Sequence, residues 1–397
     1  MIRAITPFLA TAPYDEGSKA GGASVVDVRA LLDKAGNAPE LIHAKIKEGA
    51  ALLKDGKRVI VCCDYGMSRS NAVAAGILSE TEKISVPEAI RRVIRATGET
   101  EIKFEMIQAV AGAIDEGQEK PKTKKLLVTG ATGDIGTYVL PLLQKSFPAR
   151  GLSSGDIDLR AGTQELGLLC LEEQPTHILH LAAPRVISTN RGVGDEITML
   201  KNAADVAKAL GIRIIYLSSV QVFAGAAGDD PVFADETHPV APANHLGHAK
   251  ALGEKLLADM RANACILRVG QVYGPTLRKP RFLAYFTDRL RQHLPVVTHS
   301  FENGPPIVDL LHADDLAVAL ALAITKDFTG LHHVGRGEAI YPKAIAAILK
   351  NELNSVSPVE SQAMEGRGNV TVLDDRTFFP AVSLQQGLTD MLKRSPR

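Results

Sequence analysis

Hydrophobic positions along this chain follow two rhythms. Ser24-Val-Val-Asp-Val-Arg29 and Arg58-Val-Ile-Val-Cys62 are short apolar runs of the kind that form strands. Glu40–Lys54 and Asn71–Glu80 instead carry apolar residues at helical period. Asp115-Glu-Gly-Gln-Glu-Lys-Pro-Lys-Thr-Lys-Lys125 breaks the pattern: it is charged, contains Pro121 and has no apolar periodicity, which marks a domain boundary. Beyond it, Lys125-Leu-Leu-Val-Thr129 reads as a buried parallel strand. It runs into glycines at 130, 133 and 136, then into a helix over Asp134–Lys145 that Pro141 is expected to kink. Ala149–Ser154 is a weakly marked strand, and Thr176–Ala183 and Ile212–Ser219 are further strands with helices between them. The alternation predicts an α/β protein: a small α/β domain over 1–116, a linker over 117–124, and a doubly wound parallel sheet within 125–397.

A chain of 397 residues is too long for one ordinary core and suits two or three units. Lys plus Arg equals Asp plus Glu at 45 each, so charge offers no case for nucleic acid or an anionic membrane as partner. No apolar run approaches the ~18 residues of a membrane span, and the N-terminus lacks a charged-then-apolar signal. The cysteines Cys62, Cys63, Cys170 and Cys265 are too few and too scattered for a disulfide framework or a zinc site. The expected setting is cytoplasmic, with no metal.

The glycine loop carries the first chemistry. Gly130, Gly133 and Gly136 let the backbone turn tightly and approach a pyrophosphate, which would sit on the free N–H groups where the helix starts. Thr132, Asp134 and Ile135 complete that candidate cofactor loop. An acidic residue about twenty positions on would hold the ribose of NAD. Arg150 stands there instead, which leans towards the extra phosphate of NADP; NAD and NADP both stay open.

A second loop lies in the N-terminal domain. The strand ending at Cys62 runs into Cys63-Asp-Tyr-Gly-Met-Ser-Arg69-Ser70 and then a helix. Loop N–H groups and the helix start would receive an oxyanion, Arg69 would clamp it, and the same positive field would favour a Cys63 thiolate. Residues 5–112 resemble the cysteine-dependent phosphatases of the dual-specificity type, whose loop reads His-Cys-x5-Arg-Ser. The resemblance implies Cys63 as nucleophile, Arg69 as phosphate clamp and Ser70 as the hydroxyl that helps the thiolate leave. It implies a general-acid aspartate some thirty residues upstream, where Asp33 fits best and Asp27 less well. Three departures stand out: Cys62 replaces the usual histidine, Asp64 puts a carboxylate beside the nucleophile, and the segment before the loop is short.

The longer domain carries its own set of motifs. Gly155-Asp-Ile-Asp-Leu159, His180-Leu-Ala-Ala183 and Ser218-Ser-Val-Gln-Val-Phe223 are followed by Leu267-Arg-Val-Gly-Gln-Val-Tyr-Gly-Pro275, Leu311-His-Ala-Asp-Asp-Leu316 and His333-Val-Gly-Arg-Gly-Glu338. With these, residues 124 to about 390 resemble an extended short-chain dehydrogenase/reductase of the NAD-dependent epimerase/dehydratase group, nearest to dTDP-4-dehydrorhamnose reductases. The resemblance implies a Rossmann sheet with a smaller substrate lobe after Tyr273, and a nucleotide sugar or related polyol as substrate. It implies cofactor contacts at Asp158, Ala182, Ala183 and Lys250, and catalytic roles for Ser219 and Lys250. The family's tyrosine, four positions before the lysine, is Leu246 here. Either the hydride chemistry is gone, or His245 or His248 has taken over the proton.

The leading reading is thus a two-domain enzyme, with a phosphorylated substrate at the Cys63 loop and NAD(P) plus a nucleotide-sugar-like molecule in the longer domain. A second reading makes the longer domain a silent dinucleotide or sugar sensor; a third makes both halves binding modules. None of the three readings fixes the oligomeric state, and a homodimer stays open.

Overall fold

The computed structural model describes residues 1–114, 123–226, 228–277, 280–374 and 377–393. The expected linker therefore lies largely outside the described residues. Two compact units emerge: Met1–Lys122 with Gly162–Gln174, and Thr123–Ala161 with Pro175–Arg397. Among the described residues no helix is long and apolar enough to cross a membrane.

The first unit is built on a four-stranded sheet in the order Arg3–Ala4, Leu9–Pro13, Arg58–Cys63, Ala23–Asp27. All pairings are parallel except the opening hairpin. The central strand carries Val59, Ile60, Val61, Cys62 and Cys63, all buried, as a parallel strand covered on both faces must be. It feeds the helix Ser68–Glu82, whose first two-thirds are almost wholly buried, while Asp64 and Tyr65 of the loop between them are exposed. The next helix, Val86–Thr97, starts at Ser85, whose hydroxyl accepts the Glu88 N–H, and stops at Gly98 in the left-handed region. The helix Gln164–Glu173 also packs in this unit. Gly167 has no side chain, the Phe104 ring occupies the space a Cβ would take, and Arg91 pairs with Glu172. The segment Gly162–Gln174 thus groups with the first unit, inside the span of 125–397 expected for the second domain.

The second unit is a six-stranded all-parallel sheet in the order Gly330–Val334, Ala264–Val269, Arg213–Ser219, His177–His180, Leu126–Thr129, Ala149–Leu152. Chain order reverses between Leu126–Thr129 and His177–His180, which places the switch point of a doubly wound sheet at the carboxyl ends of those two strands. One face is apolar: Leu126, Val128, Leu179, Leu217, Leu267 and Val269 pack with Leu316, Leu320 and Ile324 of the helix Ala313–Thr325. Residues of the opposite face alternate with these along each strand and include Tyr216, Ser218 and Arg268, all buried. Arg268 and Ser218 of that face share one carboxylate. Arg268 bonds both oxygens of Glu254 at 3.0 and 2.7 Å, and the Ser218 hydroxyl donates to Glu254 at 2.5 Å. After Tyr273 the chain adds a small lobe, where the helices Arg281–Arg291, Pro342–Glu352 and Leu384–Lys393 enclose Leu283, Phe286, Leu349 and Met391.

The Glu254–Arg268 pair generates a stability prediction. Removing one partner leaves the other charge buried and unpaired, so Glu254→Ala should destabilise the second unit by about 3–5 kcal/mol. Urea unfolding followed by circular dichroism checks it, and an unchanged midpoint would contradict it.

Candidate functional site

At the switch point of the second unit lies a cavity of about 810 Å³. Its floor is the glycine loop. Gly130 has φ +68°, and a Cβ there would stand 2.5 Å from the Ala182 nitrogen. A Cβ on Gly136 would stand 2.3 Å from the Gly130 carbonyl oxygen, so the helix Asp134–Leu143 starts flush against the loop. The first N–H groups of a helix have no partner within it, and here they open beside Thr132, Gly133, Asp134 and Ile135, all of which line the cavity. The residues present therefore fit a pyrophosphate: bare backbone at the glycines and a helix start.

The far wall comes from Ser153–Ser154, Ile157–Arg160 and Leu181–Val186. Asp158 lines the cavity and is gripped by Arg160 at 2.9 Å through both oxygens, which holds its carboxyl below the usual range. Arg150, singled out by spacing, is exposed and lies outside the lining. Asp156 accepts the Ser153 N–H at 2.8 Å and the Ser153 hydroxyl at 2.6 Å and is not among the residues that line the cavity.

Ser219, Leu246 and Lys250 are not among the residues that line the cavity; the strand Arg213–Ser219 ends in the short helix Val220–Phe223, which the Ser219 hydroxyl caps by accepting the Gln221 N–H at 3.2 Å. Asn244 binds the Gln221 side chain at 2.8 Å while its own oxygen accepts the Gly247 N–H at 2.9 Å. A Cβ on Gly247 would stand 2.2 Å from the Gln221 carbonyl oxygen, so the start of the helix His245–Asp259 presses on the turn after Ser219. Leu246 is half-buried on that first turn, and His245 and His248 are exposed. One turn on, Lys250 Nζ lies 2.6 Å from Glu196 Oε1 and 4.7 Å from the Tyr216 ring centre. His180 completes the group, its Nδ1 3.0 Å from the Thr129 hydroxyl; burial holds its pKa down at about 4.

In the first unit, Cys63 occupies the end of the central strand. Its Sγ accepts the Gly66 N–H at 3.2 Å and lies 3.4 Å from the Ser70 hydroxyl. Burial pushes the thiol up, but the Ser70 hydroxyl and the N–H groups of Ser70, Met67 and Tyr65 outweigh it, so its pKa falls below the ordinary thiol value. Gly66, at φ +69°, has backbone atoms of Ala12 and Pro13 where a Cβ would go. Arg69 donates to the carbonyls of Arg29 and Leu31 at 3.1 Å and pairs with Asp64, so an arriving anion must draw it from that carboxylate. Asp33 Oδ2 pairs with Lys103 at 3.0 Å. Asp27 is chelated by Arg29, which keeps its carboxyl below the usual range and unsuited to donating a proton.

Residues 126–335 match the NAD dependent epimerase/dehydratase family over more than half of the chain. The chain belongs to that family. Methionine adenosyltransferase 2 subunit beta of Rattus norvegicus is 29% identical over 189 residues, which is 44% of this chain and 55% of that protein. The chain spans about half the length of the curated relatives it matches. Among solved structures, UDP-glucose 4-epimerase of Thermus thermophilus in complex with NAD superposes with a TM-score of 0.58 at 21% identity, covering 68% of this chain and 98% of that one. The dTDP-4-dehydrorhamnose reductase of Bacillus anthracis in complex with NADP gives a TM-score of 0.60 at 19% identity, covering 70% and 100%. At these identities the likeness is one of fold. Residues 1–125 lie outside the family match.

The epimerase/dehydratase unit holds one group that the sequence motifs do not bring forward. Glu196 lies in the helix Asn190–Leu210, in line with buried Gly192, Leu200, Ala203 and Ala207. A carboxylate inside an otherwise apolar helical stripe is the signal that points to it.

The cysteine environments separate cleanly. Burial pushes Cys62 up to about 11 and Cys170 and Cys265 up to about 12, while Cys63 is lowered. A small alkylating agent should therefore modify Cys63 with a pH midpoint below the ~8.5 of a free thiol. Ser70→Ala should move that midpoint up. Peptide mapping of the label across pH tests this; preferential labelling of another cysteine would contradict it.

Proposed function

We propose that the epimerase/dehydratase unit binds NAD or NADP in the switch-point cavity, beside a nucleotide sugar or related polyol, with weak or silent hydride chemistry. The observation that carries cofactor binding is the glycine cradle, where neither Gly130 nor Gly136 has room for a Cβ. Bound there, a nicotinamide supplies or accepts the hydride. The chain's own residues position it: the loop and helix start take the pyrophosphate, and Asp158, Ala182 and Ala183 line its path. Protonation of the substrate oxygen would fall to the residue at 246, and leucine can neither donate nor accept a proton. The exposure of His245 and His248 speaks against either replacing it. The Thermus and Bacillus structures hold NAD and NADP, and a UDP-glucose 4-epimerase of Thermotoga maritima holds UDP-glucose, which supports the ligand classes. The curated relatives are named as a subunit of another enzyme, which favours a binding or sensing role over fast turnover.

For the first unit we propose a cysteine-dependent phosphatase acting on a phosphorylated substrate. Cys63 attacks phosphorus as a thiolate, the leaving oxygen departs with a proton from an acid such as Asp33, and water then hydrolyses the phosphocysteine. What supports this is the set of hydrogen bonds that lowers the Cys63 thiol.

Calorimetry with NAD(H) and NADP(H) tests the first proposal. Wild-type protein should bind at least one of them, and Gly133→Leu, which puts a side chain on the pyrophosphate path, should lose binding while staying folded. Absence of binding by the wild type would overturn it. With an aryl phosphate, Cys63→Ser should abolish turnover while vanadate still binds, and wild-type turnover by that variant would remove the cysteine from the mechanism.

A further inference from the structure

The change at position 246 does not stand alone. Glu196 is 1% exposed, and its Oε1 holds Lys250 Nζ at 2.6 Å while accepting the Tyr216 hydroxyl at 3.3 Å. Its Oε2 is buried without a hydrogen-bond partner, as is Nε2 of His180. A carboxylate this deep survives as an anion only beside a cation, and Lys250 supplies that cation. The ammonium is thereby held on Glu196 and over the Tyr216 ring.

We propose that Glu196 is a positioning residue that silences Lys250, so that the proton-transfer site has been rebuilt around a buried glutamate–lysine pair. This rests on the reading of the unit as a weak or silent hydride enzyme and goes further. It says that the lysine, though present, no longer lends its charge to position 246. A phenol placed there would meet a neutralised cation and keep its ordinary acidity. The other groups around Lys250 do not compensate. Tyr216 of the neighbouring strand is neutral and its hydroxyl is spent on Glu196; His180 is held neutral by burial; Glu254, one turn further along the same helix, is occupied by Arg268 and Ser218.

The test is the titration of an introduced phenol, which needs neither cofactor nor turnover and so stands or falls separately from dinucleotide binding. Ultraviolet difference titration of Leu246→Tyr against the parent chain should show the new phenol ionising near the ordinary value of about 10. In Leu246→Tyr/Glu196→Gln the freed ammonium should lower it by about one pH unit or more. Adding Lys250→Met should abolish that lowering, which a merely structural role for Glu196 would not produce. Equal titration in the single and double variants would overturn the proposal, as would a lowering that survives Lys250→Met. Should the Glu196→Gln chain fail to fold, the single variant decides: a phenol already lowered with Glu196 in place contradicts the silencing of Lys250.

Discussion

The backbone amide of Ala182 stands where a side chain on residue 130 would have to be. That close approach is the constraint on which the second unit depends. It forces glycine at 130 and lets the first strand's loop and the end of the His177–His180 strand meet. It also opens the cavity at the one place where the sheet order reverses. The helix that follows can start within contact of the loop only because residue 136 is a glycine too. A dinucleotide site is then a consequence of sheet topology and missing side chains, with little help from charged residues.

The two faces of the sheet divide the remaining work. One is apolar and packs against the helices Asp134–Leu143 and Ala313–Thr325, providing cohesion. The other buries Arg268, Glu254, Lys250 and Glu196 in two ion pairs, with Tyr216 and Ser218 bonded to their carboxylates. Buried pairs of this kind add little net stability over apolar packing, yet each becomes costly when broken. They fix where the side chains point. In this chain they point Lys250 at a glutamate.

Much of this is legible in the sequence because it depends on local pattern. The strands Arg58–Cys63, Leu126–Thr129 and Arg213–Ser219 fall within a residue or so of their apolar runs. The glycine spacing and the Cys63–Ser70 run name their loops outright. What escapes depends on contacts between distant segments. Glu196 and Lys250 are 54 positions apart, and only packing of their two helices brings them together. Asp33 is available by spacing alone, and its engagement with Lys103 comes from a residue 70 positions on. Helix Gln164–Glu173 reads as part of the second domain until the Phe104 ring is seen against Gly167.

The proposal for the epimerase/dehydratase unit separates cofactor binding from hydride chemistry. Stopped-flow fluorescence of reduced dinucleotide, mixed with the protein and then with a nucleotide-linked 4-keto sugar, observes both events in one trace. A rapid change on binding is expected, followed by oxidation slower by roughly the 10²–10⁴-fold that a lost general acid typically costs. Binding followed by oxidation at the rate of an ordinary family enzyme would contradict it.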